Sequence, residues 1–378
     1  MKTIADVYFS RILLIKPSAL GDVIHTLPVL DKLRKRYPAA KIDWFIRPEL
    51  ADVVRSHPAA PGIVLFPRRE LGRFGWDMQA TRLIFDLLRQ LRQGRYDLVV
   101  DLHGQFRSAI FALATGAPVR VGFPAPRAAF RSAFKTHGWR GAREGSWLAY
   151  THHLSLPTLD IHAIDRYLRV GELLGFGEDN PDIQVYLPPE AHRSAAALLK
   201  HHALSCYALL APGTQWETKH WAPARFAQVG RQLIERGFGV VLAGGPGDRE
   251  RCRQVAAACP GAVDLSGQTT TGELGALIAR SAICVTNDSG PMHYAVALGR
   301  PVVSIFGPTN PVHIGPYRRP RSVVSERLPC APCNLRRERD CAYGHACMEA
   351  VTPRAVMERI EEVLDETAMS AFADCLRK

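Results

Sequence analysis

Short apolar runs rich in β-branched residues alternate with helical stretches along the first half of this chain, and the alternation starts afresh in the second half. Runs at 12–16, 41–46, 63–66, 97–101 and 119–123 read as strands, and helical periodicity at 29–36 and 81–93 falls between them. A second set of strands is expected at 207–211, 239–243, 263–265, 283–286 and 302–306. That layout predicts a parallel, doubly wound α/β sheet in each half. At 378 residues, each half is long enough to bury its own core. Asp179, Asn180, Pro181, Pro188 and Pro189 supply turn chemistry between the halves. The expected domains are therefore 1–185 and 186–353, followed by a charged helical segment, 354–378, that could cross back to the first domain.

The formal net charge of +12 suggests an anionic partner, with plain solubility as the bland alternative. Between Arg120 and Arg143 the basic residues, Arg127, Arg131, Lys135 and Arg140 among them, are interrupted by no Asp or Glu. On a helix, Arg127, Arg131 and Lys135 would share one face beside Phe130 and Phe134, a pattern suited to an anionic lipid surface or to a solvated helix with a packed edge. No run approaches the roughly 20 apolar residues of a membrane-spanning helix, and residues 1–10 lack a secretory pattern. The expected location is the cytoplasm, peripheral to a membrane.

Four strand ends carry chemistry. After 283–286 come Asn287, Asp288, Ser289, Gly290, Pro291, Met292 and His293, a strand running straight into a helix. Free N–H groups and the positive end of the helix dipole at such a junction favour an anion, a nucleotide diphosphate above all, although a plain turn capped by Ser289 or Asp288 fits too. The first strand runs into Lys16-Pro17-Ser18-Ala19-Leu20-Gly21-Asp22, which is neither a G-x-G-x-x-G fingerprint nor a Walker loop. There Asp22 could accept a proton from a sugar hydroxyl or merely cap the helix. The strand at 207–211 leads into Gly213, Thr214 and Lys219, where Lys219 could neutralise a diphosphate or be an ordinary surface lysine. Glycines after 239–243 allow close approach of a ligand, with Asp248 placed to accept from ribose hydroxyls. Thr270 and Glu273 have capping-box spacing and are assigned to structure.

Together these loops resemble the bacterial ADP-heptose heptosyltransferases of glycosyltransferase family 9. The likeness covers nearly the whole chain and is most specific in Gly21-Asp22-Val23-Ile24-His25-Thr26-Leu27-Pro28, Thr218-Lys219-His220-Trp221, Asp288-Ser289-Gly290-Pro291-Met292-His293 and Phe306-Gly307-Pro308-Thr309. The resemblance implies a GT-B architecture, two Rossmann-like domains facing across a cleft. It also implies inverting transfer from ADP-heptose, with Asp22 as general base and no catalytic metal. Donor contacts are implied for Gly213, Thr214, Lys219, Asp288, Ser289, Gly290, Met292 and His293, and more loosely for Asp248. Acceptor contacts are expected at Ser18, Gly21, Arg120 and Arg127, the acceptor being an anionic, lipid-linked inner core of lipopolysaccharide.

Cys330, Cys333, Cys341 and Cys347 are spaced C-x2-C-x7-C-x5-C, with His345 between the last pair. Four thiolates suit a structural zinc or iron, and a reduced cluster that packs the loop is the alternative. A metal there would agree with a second reading, a heptosyltransferase that modifies a protein such as an autotransporter. A nucleic-acid-binding module would need aromatics among the basic residues, and Tyr343 is the only one between Cys330 and Cys347. A GT-B sugar-nucleotide epimerase would share the nucleotide loops but need no acceptor.

Overall fold

The computed structural model describes residues 4–126, 141–158, 160–177, 179–326 and 328–367. The chain divides between Tyr186 and Leu187 into two compact units. In the first, strands β1 (Arg11–Ile15), β2 (Lys41–Ile46), β3 (Gly62–Leu65), β4 (Leu98–Asp101), β5 (Val119–Gly122) and β6 (His152–His153) form a sheet of order β3-β2-β1-β4-β5-β6. In the second, β7 (Tyr207–Ala211), β8 (Gly239–Leu242), β9 (Ala262–Asp264), β10 (Ile283–Asn287), β11 (Val302–Phe306) and β12 (Val323–Ser325) run in the order β12-β11-β10-β7-β8-β9. Every pairing among these strands is parallel. Counted from the first strand of each unit, the two orders are the same doubly wound order, reversing between β1 and β4 and between β7 and β10. The edge strands β6 and β12 were not expected, since two or three residues are too few to show a hydrophobic period.

Helices cover the sheets. Those used below are α1 (Leu20–Ile24), α2 (Leu27–Arg36), α3 (Met78–Gln93), α4 (Phe106–Ala114), α5 (Ala163–Leu168), α6 (Pro189–His201), α7 (Pro223–Glu235), α8 (Arg249–Ala258), α9 (Thr271–Arg280), α10 (Gly290–Ala297) and α11 (Pro353–Thr367). Leu13 and Ile15 of β1, Val99 of β4, Leu87 and Leu91 of α3 and Phe111 of α4 share one core of the first unit. β7, β10 and β11 are buried along their whole length, as strands covered on both faces must be. The apolar stripe of α11, Val356, Met357, Ile360 and Val363, lies in the core of the second unit with Phe226, Val229 and Leu233 of α7. Thr270 and Glu273 close a reciprocal cap on α9, Thr270 Oγ1 accepting from Glu273 N at 3.2 Å and Glu273 Oε2 from Thr270 N at 2.8 Å.

Register sets which loops meet. Ile15 pairs with Asp101, so the chain leaves β1 and β4 at the same level, and Ala211 pairs with Thr286 in the same way. The loops after these strands rise at the switch points, where open α/β sheets bind ligands.

Candidate active site

At the first switch point, α1 begins just after β1 and carries Asp22 in its first turn. Asp22 Oδ2 accepts from Ala19 N at 3.2 Å, which is the capping role open to it. Its Oδ1 accepts from the Tyr167 hydroxyl of α5 at 2.8 Å, across 145 residues of sequence. Behind both stands Lys16, only 4% exposed, whose Nζ donates to Tyr167 Oη and to the Leu102 carbonyl, each at 2.7 Å. Lys16 Nζ lies 3.6 Å from Asp22 Oδ1 and 4.3 Å from the centre of the Tyr167 ring. Burial works to raise the Asp22 pKa, but the Lys16 charge, the Tyr167 hydroxyl and the Ala19 N–H together outweigh it and hold the carboxyl at about 2. The side chain is still 42% exposed, so one edge of an ionised carboxylate is open. His103, in the loop after β4, is pushed down to about 3 by burial and then by Lys16, and is neutral at pH 7. Asp101 Oδ1 holds that loop by accepting from His103 N at 2.8 Å and Gly104 N at 3.2 Å.

At the second switch point, Lys219 Nζ forms an ion pair with Asp288 Oδ2 at 2.6 Å, and both side chains are largely buried. Thr309 Oγ1 donates to the same carboxylate oxygen at 2.6 Å, and Thr214 Oγ1 to the Asp288 carbonyl at 3.4 Å. Thr286 and Ser289 join their hydroxyls at 2.8 Å beneath the start of α10, where Pro291 takes one of the first two helical positions and forfeits no hydrogen bond. Asn287 ties the loops together, accepting from Trp221 N at 3.2 Å and donating to the Pro212 carbonyl at 2.8 Å. Gly213 has no room for a side chain, because a Cβ there would lie 2.1 Å from Cγ of Asp248. Asp248 in turn accepts from Gly245 N at 2.8 Å, and burial raises its pKa. Gly213, Thr214, Lys219, Asp248, Asp288, Ser289 and Gly290 thus gather around the ends of β7, β8 and β10. Met292 and His293 follow on α10 with their side chains buried, Met292 completely.

The remaining expected residues divide. Ser18 and Gly21 flank Asp22, in the turn and in α1. Arg120 donates from Nε to the Ala149 carbonyl at 2.7 Å and also binds the Ala117 carbonyl, so its charge is engaged within its own unit. Arg127, Arg131 and Lys135 lie outside the described residues. Tyr167 and His103 are additions that sequence reasoning missed, and Lys16, Asn287 and Thr309 stood in the motifs without a role assigned to them. A lysine directly after a buried strand was a signal for Lys16; nothing local pointed to Tyr167.

A metal on Cys330, Cys333, Cys341 and Cys347 remains an expectation, although the four cysteines do lie near one another. Among the described residues no three His, Cys, Asp or Glu side chains are arranged to hold a metal ion. Cys347 turns into the core beside Met348, closing on Gly307 so tightly that a Cβ would lie 2.8 Å from its sulfur. Burial, then the neighbouring Cys333, Cys330 and Cys341, push its thiol up to about 11. The loop braces the Lys219 loop: Thr218 Oγ1 donates to the Leu335 carbonyl, His345 Nε2 meets the Thr218 carbonyl, and Glu338 N donates to Glu217 Oε2 at 3.2 Å. Lys219 and Arg336 both lie over the Trp216 ring, at 4.3 and 4.8 Å from its centre.

Two doubly wound sheets, each with polar residues gathered at its switch point, define the GT-B fold class. The family model for glycosyltransferase family 9 (heptosyltransferase) matches residues 84–344. Lipopolysaccharide heptosyltransferase 1 of Pseudomonas aeruginosa is 30% identical over 338 residues, covering 88% of each chain. Lipopolysaccharide heptosyltransferase 2 of Escherichia coli K12 is 28% identical over 94% of this chain and 98% of its own. The solved structure of E. coli heptosyltransferase WaaC with ADP superposes with a TM-score of 0.70 at 24% identity, over 93% of this chain and 99% of its own. The chain belongs to glycosyltransferase family 9, and it is a glycosyltransferase.

Proposed function

We propose that the protein moves heptose from ADP-heptose, with inversion, to an anionic, lipid-linked inner-core acceptor of lipopolysaccharide at the inner-membrane surface. The observation that carries this reading is the Asp22 carboxylate, ionised far below neutral pH yet open on one edge. The names of the relatives, lipopolysaccharide heptosyltransferases 1 and 2 and a WaaC structure that holds ADP, support the substrate classes.

In this mechanism the acceptor hydroxyl donates to Asp22. A carboxylate with a pKa of about 2 is a weak base, so the proton moves late, as the hydroxyl oxygen closes on the anomeric carbon and acquires positive character. Oδ1 keeps the Tyr167 hydrogen bond and Oδ2 the Ala19 one, and each oxygen has a second lone pair for the incoming proton. As the glycosidic bond to phosphate breaks, negative charge grows on the ADP leaving group. Lys219, with donors beyond the one used by Asp288, the N–H groups opening α10 and Thr214 meet that charge, and Arg336 adds a second cation beside Trp216. No resident cofactor is assigned to these steps. Ser18 and Gly21 would border the acceptor, and Asp248 the ribose.

The test is product analysis by mass spectrometry with ADP-heptose and an inner-core acceptor, in wild type and Asp22→Asn. Transfer in the first and its loss in the second, with ADP affinity retained, is the expected result. Full activity of Asp22→Asn removes the assigned base, and turnover of donor without any acceptor favours an epimerase.

A further inference from the structure

The helix α3 buries Ala80, Ile84, Leu87 and Leu91, which lie on one face. On the opposite face, Met78, Arg82, Phe85 and Arg89 follow one another at steps of four, three and four residues and so form a single outward stripe. An ordinary solvated face is polar throughout. This one alternates apolar and cationic side chains, with Asp86 along its border. The turn before it extends the same character: Trp76 is 94% exposed and Met78 90%, and Phe74 packs on Phe85 with ring centres 5.8 Å apart. A shallow groove of about 600 Å³ is lined by Trp76, Met78, Arg82, Phe85 and Arg89 together with Asp77 and Asp86. From Arg68 to Arg92 there are six arginines against three acids. Two of those acids are engaged, Asp77 by Arg73 and Asp86 by both Arg89 at 2.8 Å and Arg82 at 4.0 Å, which leaves the segment with a surplus of cations.

An exposed indole and thioether in water are poorly solvated, while a ring with a polar edge suits the boundary between headgroups and acyl chains. Arginines beside it can lay their methylene stems on the apolar layer and bring their guanidinium groups to lipid phosphates. No helix among the described residues is long and apolar enough to cross a membrane, so contact with a bilayer through them has to be made from its surface. We propose that this turn-and-helix face docks the protein on an anionic lipid bilayer, with Trp76, Met78 and Phe85 entering the interface and Arg82 and Arg89 on the lipid phosphates. The inference rests on the reading of the acceptor as lipid-linked, and it places the membrane contact on α3.

Co-sedimentation of the full chain is measured with vesicles of phosphatidylcholine alone and of an equimolar mixture with phosphatidylglycerol. Wild type binds the mixed vesicles and binds phosphatidylcholine much more weakly. Trp76→Ser with Phe85→Ser weakens binding to the mixed vesicles by about tenfold or more. Arg82→Gln and Arg89→Gln each weaken it by about fivefold, and only where phosphatidylglycerol is present. All these variants keep wild-type turnover on an acceptor stripped of its acyl chains, which shows that they fold. Wild type failing to bind mixed vesicles, variants binding like wild type, or self-association through this face in sedimentation would each overturn the proposal. If wild type docks on vesicles but transfers to no acceptor, the transferase reading fails and the docking face stands.

Discussion

The two sheets share one strand order, yet the loops at their switch points are built oppositely. In the first unit a buried lysine, Lys16, stands behind a half-exposed carboxylate, Asp22, and the anion is presented. In the second a buried carboxylate, Asp288, stands behind Lys219, and the cation is held in place by the acid and by Thr309. Under the proposed mechanism the same topology offers a proton acceptor in one unit and an anion cradle in the other. What differs is which member of a lysine–aspartate pair lies deeper, and so which charge reaches the ligand.

Under the proposed mechanism that contrast can be broken residue by residue. Asp22→Asn keeps the shape of the side chain but removes the basic oxygen, so kcat falls by about a thousandfold or more while ADP affinity, measured calorimetrically, holds. A matching loss of ADP affinity would erase the division of labour. Lys219→Ala lowers kcat/KM by about a hundredfold and weakens ADP binding, since charge stabilisation is lost in both ground and transition states; unchanged ADP binding would count against the cradle. Lys16→Met removes the cation behind Asp22, along with its hydrogen bonds to Tyr167 and the Leu102 carbonyl. With its main opposing charge gone, burial lifts the Asp22 pKa above about 2, and the acid limb of kcat/KM moves to higher pH. Tyr167→Phe moves it the same way by less, and an unmoved limb in both variants would show that Asp22 does not titrate in the profile.

The smallest effect is on stability. Asp22 titrates lower in the folded chain than its ordinary 3.8, so its contribution is present above that value and is lost as pH falls through about 2. His103, at about 3, and His220, at about 4, sit below their ordinary 6.5, so the unfolded chain takes up their protons first and stability declines from about pH 6.5 downward. His103→Gln should flatten that decline in urea titrations, and a wild-type curve level from pH 6.5 to 4 would contradict both assignments.

Ten of the twelve strands, the two doubly wound sheets and the loops that carry Asp22, Lys219 and Asp288 were legible because each is a local pattern: an apolar run, a turn, the start of a helix. Family resemblance then supplied roles that spacing could not. The Cys spacing suggested four thiols in one place, and in the folded loop Cys330, Cys333 and Cys341 do neighbour Cys347, which is drawn into the core against Gly307.

By itself, then, the order of residues determined the alternation of strand and helix, the doubly wound layout and the place of each functional loop at a strand end. Only the tertiary structure decided what surrounds Asp22, how the Cys loop braces Lys219, where α11 buries its apolar stripe, and that α3 leaves Trp76, Met78 and Phe85 in water. The physical reason is range. Hydrophobic periodicity and turn chemistry act over a few residues, whereas the field and hydrogen bonds that set a carboxylate's charge come from Lys16 and Tyr167, which only the folded sheet brings to the same point.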